Sequence, residues 1–151
     1  MNNKTNFKYF LLISILSFFV LKTNYIFAAE FSWKFNNGLP ETRNESKELD
    51  RFAADVKKAT NGGLDIKVYH GGSLGLKNND VLRWLPTGAA EMGLVWANYL
   101  GRDAPALNAV YIQGSVGSSD EHIRAIPVLK EIYSTELKKW GIVPSGFMGL
   151  P

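Results

Sequence analysis

Apolar and polar positions divide most of this chain into short, alternating elements. Phe31 to Phe35 (F-S-W-K-F) suits a strand, and the polar turn Asn36-Asn37-Gly38-Leu39-Pro40 follows it. From Asn44, placed to cap, Leu49, Phe52, Ala53, Val56 and Ala59 recur at helical spacing, which predicts a helix to about Thr60. Asn61-Gly62-Gly63 stops it, because glycine accepts the left-handed conformation of a C-terminal cap. Leu64 to Tyr69 alternates apolar and polar residues, the mark of a half-buried strand. Asn78 or Asn79 opens a second helix that runs through Leu85 and ends at Pro86 and Gly88. The unbroken run Glu91 to Trp96 predicts a strand in the buried middle of a sheet. Val110-Tyr111-Ile112 suits a short strand, Ser119 and Asp120 open a helix, and Pro127 suits the first turn of another. That last helix carries Leu129, Ile132, Tyr133, Leu137 and Trp140 inward and stops at Gly141, after which Ile142 to Phe147 begins a further strand.

Strand, helix, strand, helix, strand implies an α/β layer with a largely parallel sheet. Ligands of such sheets gather beyond the carboxyl ends of the strands. Three segments qualify: Asn36 to Pro40, Gly71 to Lys77, and Trp96 to Tyr99. Trp96 can floor a pocket with a rigid face and one donor, although a plain core role fits it equally. Asn98 can donate to and accept from a carboxylate or hydroxyl, or it can stabilise its own loop. Asn37 and Gly38 form either a close backbone approach to a ligand or an ordinary turn. Lys77 offers positive charge to an acid, or is simply solvated.

The N-terminus changes this picture. Lys4 and Lys8 precede the uncharged run Tyr9–Leu21, and a short exit ends in Ala28-Ala29. This is the order of a secretory signal, and its apolar run is shorter than the roughly 20 residues of a spanning helix. Cleavage after Ala28 is expected, leaving residues 29–151. Lys4, Lys8 and Lys22 account for the whole net charge of +3, so the basic pI of about 9.1 belongs to the signal and is no footprint for nucleic acid. The chain has no cysteine, which excludes disulfides, thiolate chemistry and lipid attachment at a cleavage site. A periplasmic location is expected.

The stretches F-S-W-K-F-N-N-G-L-P, N-E-S-K-E-L-D-R-F-A-A-D-V-K-K-A-T-N-G-G, L-D-I-K-V-Y-H-G-G-S-L-G and T-G-A-A-E-M-G-L-V follow one another in an order and spacing that resemble the solute-binding component of TRAP transporters, the tripartite ATP-independent periplasmic systems. The resemblance runs from Phe31 to Pro151. It implies a two-lobed periplasmic binding protein fold that closes on an organic acid and delivers it to a small and a large integral membrane subunit, with neither catalysis nor cofactor. Residues 29–141 correspond to the first α/β lobe and residues 142–151 to the start of a crossover strand. The chain departs from the family in two ways. Gly72 stands where the loop before S-L-G usually carries glutamine. Family members also run roughly twice this length, so the arginine that clamps the substrate carboxylate is expected in a second lobe beyond Pro151.

Gly71-Gly72-Ser73-Leu74-Gly75 also fits G-x-S-x-G, the nucleophile elbow of α/β-hydrolases, with Asp103 or Asp120 and then His122 to complete a triad. This secreted-esterase alternative is the weaker one. Only residues 29–72 precede the serine in the exported chain, and Leu76 and Lys77 separate it from the next helix. His70 and His122 are the only histidines, read as surface residues, and no cluster has metal-ligand spacing. Asn44-Glu45-Ser46 matches a glycosylation sequon that a capping asparagine explains.

Overall fold

The structure, a computed structural model, describes residues 29–110 and 117–148. The predicted signal segment, and Tyr111 and Ile112 of the predicted short strand, lie outside these residues. Strand β1 (Phe31–Asn36) is the middle of a three-stranded parallel sheet, between β2 (Leu64–Tyr69) and β3 (Met92–Gly93). In register, Asn36 faces Tyr69 on one side and Gly93 on the other, so all three strands end level. Helix α1 (Asn44–Ala59) connects β1 to β2. It lays Leu49 and Ala53 on Phe35 and Ile66 of the sheet, forming one buried cluster. Phe52 is exposed because it lies about 60° round the helix from Leu49, at the margin of the stripe.

Both ends of α1 differ in detail from expectation. Arg43, not Asn44, is the N-cap residue, and it makes no side-chain cap. Asn44 is the first helical residue, so it does not cap. At the other end Asn61 itself adopts the left-handed conformation, with φ 52°. Its N–H donates to Lys58 O at 3.1 Å, and the Gly62 N–H donates to Lys57 O at 2.7 Å. That pair of bonds is the Schellman closure, with asparagine where glycine is commoner.

The second half of the chain is more irregular. A 3-10 turn (Asn78–Asp80) leads directly into α2 (Val81–Trp84). The apolar run Glu91–Trp96 forms a two-residue strand at the edge of the described sheet, and the middle position belongs to β1. Trp84 accounts for the strand's small residue. Its ring lies against Gly93 so closely that a Cβ there would sit 2.7 Å from the ring. The chain then turns away into a 3-10 turn (Ala97–Leu100) and α3 (Pro105–Ala109).

Instead of two helices there is one, α4 (Ser119–Lys138), with Pro127 in its interior. Proline fits the helical φ but has no N–H to offer the Ile123 carbonyl. Ser118 caps this helix, accepting from Glu121 N, while the Glu121 carboxylate takes the Gly117 N–H at 2.7 Å. Gly141, at φ 70°, ends it as expected, and Ile142 N–H closes onto Leu137 O at 3.1 Å. Leu137 and Ile142 join the larger cluster of Val81, Leu82, Trp84, Leu100 and Leu107, on which Ile132, Tyr133 and Trp140 pack half-buried. Residues 142–148 form no strand.

Candidate functional site

Because the three strands end level, the segments that follow them emerge along one carboxyl edge. Backbone bonds join the first two. Asn37 N–H donates to Tyr69 O (2.9 Å), Gly71 N–H to Leu39 O (2.8 Å) and Gly72 N–H to Asn37 O (3.2 Å). Gly71 and Gly72 both take positive φ, which lets the second loop fold back onto the first. The third strand is tied in where Leu94 N–H donates to Asn36 O at 3.1 Å.

The five candidate residues occupy this edge differently. Asn37 is fully buried and its side chain is committed: Oδ1 accepts from Leu39 N, and Nδ2 donates to Ser46 Oγ and His70 Nδ1. Gly38 is exposed at the turn, and on its Cβ side the Asn78 amide fills the space, 2.7 Å from where that carbon would be. Lys77 is exposed and forms no ion pair among the described residues, while its carbonyl accepts from Trp84 Nε1 at 2.9 Å. Trp96 stands at the N-cap position of the 3-10 turn after β3 without a side-chain cap, half-buried, with its ring edge-on to Tyr99 at 6.2 Å. Asn98 is exposed on that turn. Thus Asn37, Gly38 and the Lys77 segment are joined by direct contacts, and Trp96 and Asn98 follow the third strand separately.

Two groups escaped the sequence reading. His70, taken as a surface residue, is only 16% exposed in its side chain and is bonded through both ring nitrogens, to Asn37 and to Asp50 Oδ1 at 3.0 Å. His122 is likewise half-buried. Ser46 carried a usable signal, since a polar residue on the apolar stripe of α1 implies a buried hydrogen bond. The second group is ionic. Arg102 bonds Asp80 Oδ1 and Asp103 Oδ2, each at 2.8 Å, and Arg83 bonds Asp103 Oδ1 at 2.9 Å. The Arg102 guanidinium holds both carboxyls below the usual carboxylate range. Arg83 and Arg102 are therefore paired cations that brace the turn next to Lys77.

Ser73 does not sit in a hydrolase elbow. It lies in a turn, the next helical residue is Asn78, and both nitrogens of the neighbouring His70 are occupied. Two surface hollows, of about 530 and 300 Å³, lie between α3 and the end of α4 and between α1 and β2. Neither is lined by the candidate loops. No group of three or more histidine or acidic residues that could hold a metal occurs among the described residues. No helix among them is long and apolar enough to cross a membrane.

The model of the bacterial extracellular solute-binding proteins of family 7, DctP, matches residues 35–113. The chain belongs to this family. The match begins at Phe35, near the end of β1, and runs past the end of α3, so it covers β2, β3 and the loops at the carboxyl edge of the sheet. A solute-binding protein of Albidiferax ferrireducens is 30% identical over 95 residues, which are 62% of this chain and 28% of that protein. Among solved structures, the extracytoplasmic solute receptor DctP7 of Bordetella pertussis, which binds pyroglutamic acid, is similar with a TM-score of 0.67 and 28% identity, over 74% of this chain and 37% of its own. A TRAP periplasmic solute-binding protein of Chromohalobacter salexigens with bound d-glucuronate is similar with a TM-score of 0.65 and 25% identity, over the same shares. The chain thus spans about a third of the length of the relatives it matches. DctP-family members are solute receptors, not enzymes, and the α/β fold expected from the TRAP resemblance is the fold observed.

Proposed function

We propose that this chain forms the first lobe of a TRAP receptor, which captures a small organic acid in the periplasm and hands it to the two membrane subunits. In this reading export leaves Ala29 as the mature N-terminus. Residues 29–141 form the lobe and residues 142–151 lead toward a second. The observation that carries the reading is the level carboxyl edge of a sheet belonging to a solute-receptor family, with the strand-end loops packed on one another. The acid lies along that edge. Trp96 offers a ring face, Asn98 a donor and acceptor, and Lys77 a positive charge. Gly38 borders the acid at the exposed turn, its missing side chain making room for the Asn78 amide. Asn37 holds the turn in place and does not touch the acid, because it is fully buried and its side-chain and main-chain groups are already bonded within the lobe.

Saturation-transfer NMR on the chain with pyroglutamate, d-glucuronate and succinate tests this, since it reads weak binding by an open half-site. At least one acid should receive transfer, and Trp96→Ala and Lys77→Ala should each reduce it several-fold. Transfer to none of the acids, or transfer untouched by both substitutions, would count against the site.

A further inference from the structure

We propose that His70 is the positioning residue of the first loop: its unprotonated Nδ1 accepts from the Asn37 amide and thereby fixes the turn from Asn37 to Pro40. Donors and acceptors here can be assigned by elimination. Leu39 N–H donates to Asn37 Oδ1 at 3.1 Å, which identifies the oxygen of that amide. Asn37 Nδ2 has two hydrogens and meets two acceptors, Ser46 Oγ at 2.8 Å and His70 Nδ1 at 2.9 Å. Ser46 gives its own hydroxyl proton to Pro40 O at 2.8 Å, so toward Asn37 it can only accept. His70 Nδ1 must then present a lone pair. The ring proton sits on Nε2, where it donates to Asp50 Oδ1 at 3.0 Å.

Turning the Asn37 amide over would set its NH₂ group against the Leu39 N–H and remove the donor from both other partners. Asn37 and Ser46 are fully buried, so no water would compensate. The chain of bonds crosses three elements: Asp50 and Ser46 on α1, His70 at the end of β2, and Asn37 after β1. Ser46 and Asp50 are one helical turn apart, which lets α1 grip both ends of the chain. His70 acts only through Asn37. That the turn borders a ligand rests on the reading proposed above, but the tautomer and the fixed turn do not.

Long-range ¹H–¹⁵N correlation of the histidine rings in the full chain reads the tautomer directly, and a His122→Gln variant assigns the remaining signal to His70. The expected signature is an unprotonated Nδ1 and a protonated Nε2, and a proton on Nδ1 would overturn the proposal. His70→Asn restores an acceptor near the Nδ1 position, whereas His70→Leu offers none. Exchange protection of the Leu39 amide should stay within about threefold in the first variant and fall about tenfold or more in the second, as the loss of an acceptor for a buried donor implies. Equal protection in both variants would show that His70 does not fix the turn. A wild-type chain with the expected tautomer that captures neither pyroglutamate nor d-glucuronate would defeat the ligand reading and leave the role of His70 standing.

Discussion

The half of this chain built on β1, α1 and β2 and the half built on α2 to α4 are held together differently. In the first, four buried residues (Phe35, Leu49, Ala53 and Ile66) suffice, because a regular helix lies on paired strands that already satisfy their own backbone. In the second, nine buried residues gather short turns that could not persist alone. A helix such as Val81–Trp84 is far below the length at which local hydrogen bonding sustains itself. Its position depends on its own buried Leu82, on the Trp84 indole bonded to Lys77 O, and on Arg102 bridging Asp80 and Asp103. The first half thus rests on periodic structure, and the short elements of the second, α4 apart, rest on particular side chains.

Deleting side chains from the two clusters tests that contrast most strongly. Leu107 is wholly buried in the nine-residue cluster, and Leu107→Ala should cost about 4 kcal/mol by urea denaturation. Leu49→Ala in the smaller cluster should cost about 2 to 3 kcal/mol. A larger loss at Leu49 than at Leu107 would reverse the comparison. Gly93→Ala comes next. The added methyl meets the Trp84 ring at 2.7 Å, where overpacking costs about 2 kcal/mol. Trp84→Phe removes the outer ring atom in that contact. The double variant should therefore be less destabilised than the sum of the two single changes, by about 1 kcal/mol. Strict additivity would mean that Trp84 does not set the size of residue 93.

The same contrast explains how much could be read from the sequence. Elements whose period persists over several turns or residues, α1 and β2, stand close to where the pattern put them. The stops after α1 at Asn61-Gly62 and after α4 at Gly141 were legible because left-handed backbone restricts the choice of residue. The shortness of β3 was not legible, because M-G-L-V-W carries no polar break to mark where the strand gives way to the next turn. The fusion of two predicted helices at Pro127 was missed for a related reason. Proline opens helices more often than it lies within them, and here cap residues at Ser118 and Gly141 define one long segment around it. At the candidate site, the three loops followed from topology alone. The burial of Asn37 by Ser46 and His70 did not, since it depends on two elements meeting in space.

Helix ends give a smaller and local version of the test. Ser118 has a side-chain cap and Asn44 has none. Ser118→Ala should lower stability by about 1 kcal/mol. Asn44→Ala should stay within about 0.5 kcal/mol, as for a surface substitution away from any special contact. Thermal melts of the two variants measured together check both. A comparable loss at Asn44 would mean that α1 begins with a functional cap after all.

The smallest expected effect concerns the charges that brace the second half. Asp80 and Asp103 are both held below the usual carboxylate range, chiefly by hydrogen bonds from Arg102. A depressed folded-state pKa means that the stabilisation is fully present above the unfolded value, about 3.9 for aspartate, and is lost as pH falls through the lower folded values. Arg102→Met removes the cation while keeping much of the aliphatic stem. The stability difference between wild type and this variant should therefore be constant near neutral pH, shrink once pH drops below about 4, and vanish when both carboxyls are protonated. It should also diminish in high salt, because the Arg102 side chain is more than half exposed and its field is screened. Urea midpoints across acid pH, at low and high salt, measure this. A difference that stays constant through the acid range would show that Arg102 braces the turn at Asn79 through packing and its bond to the Asn79 carbonyl, and that charge pairing contributes nothing there.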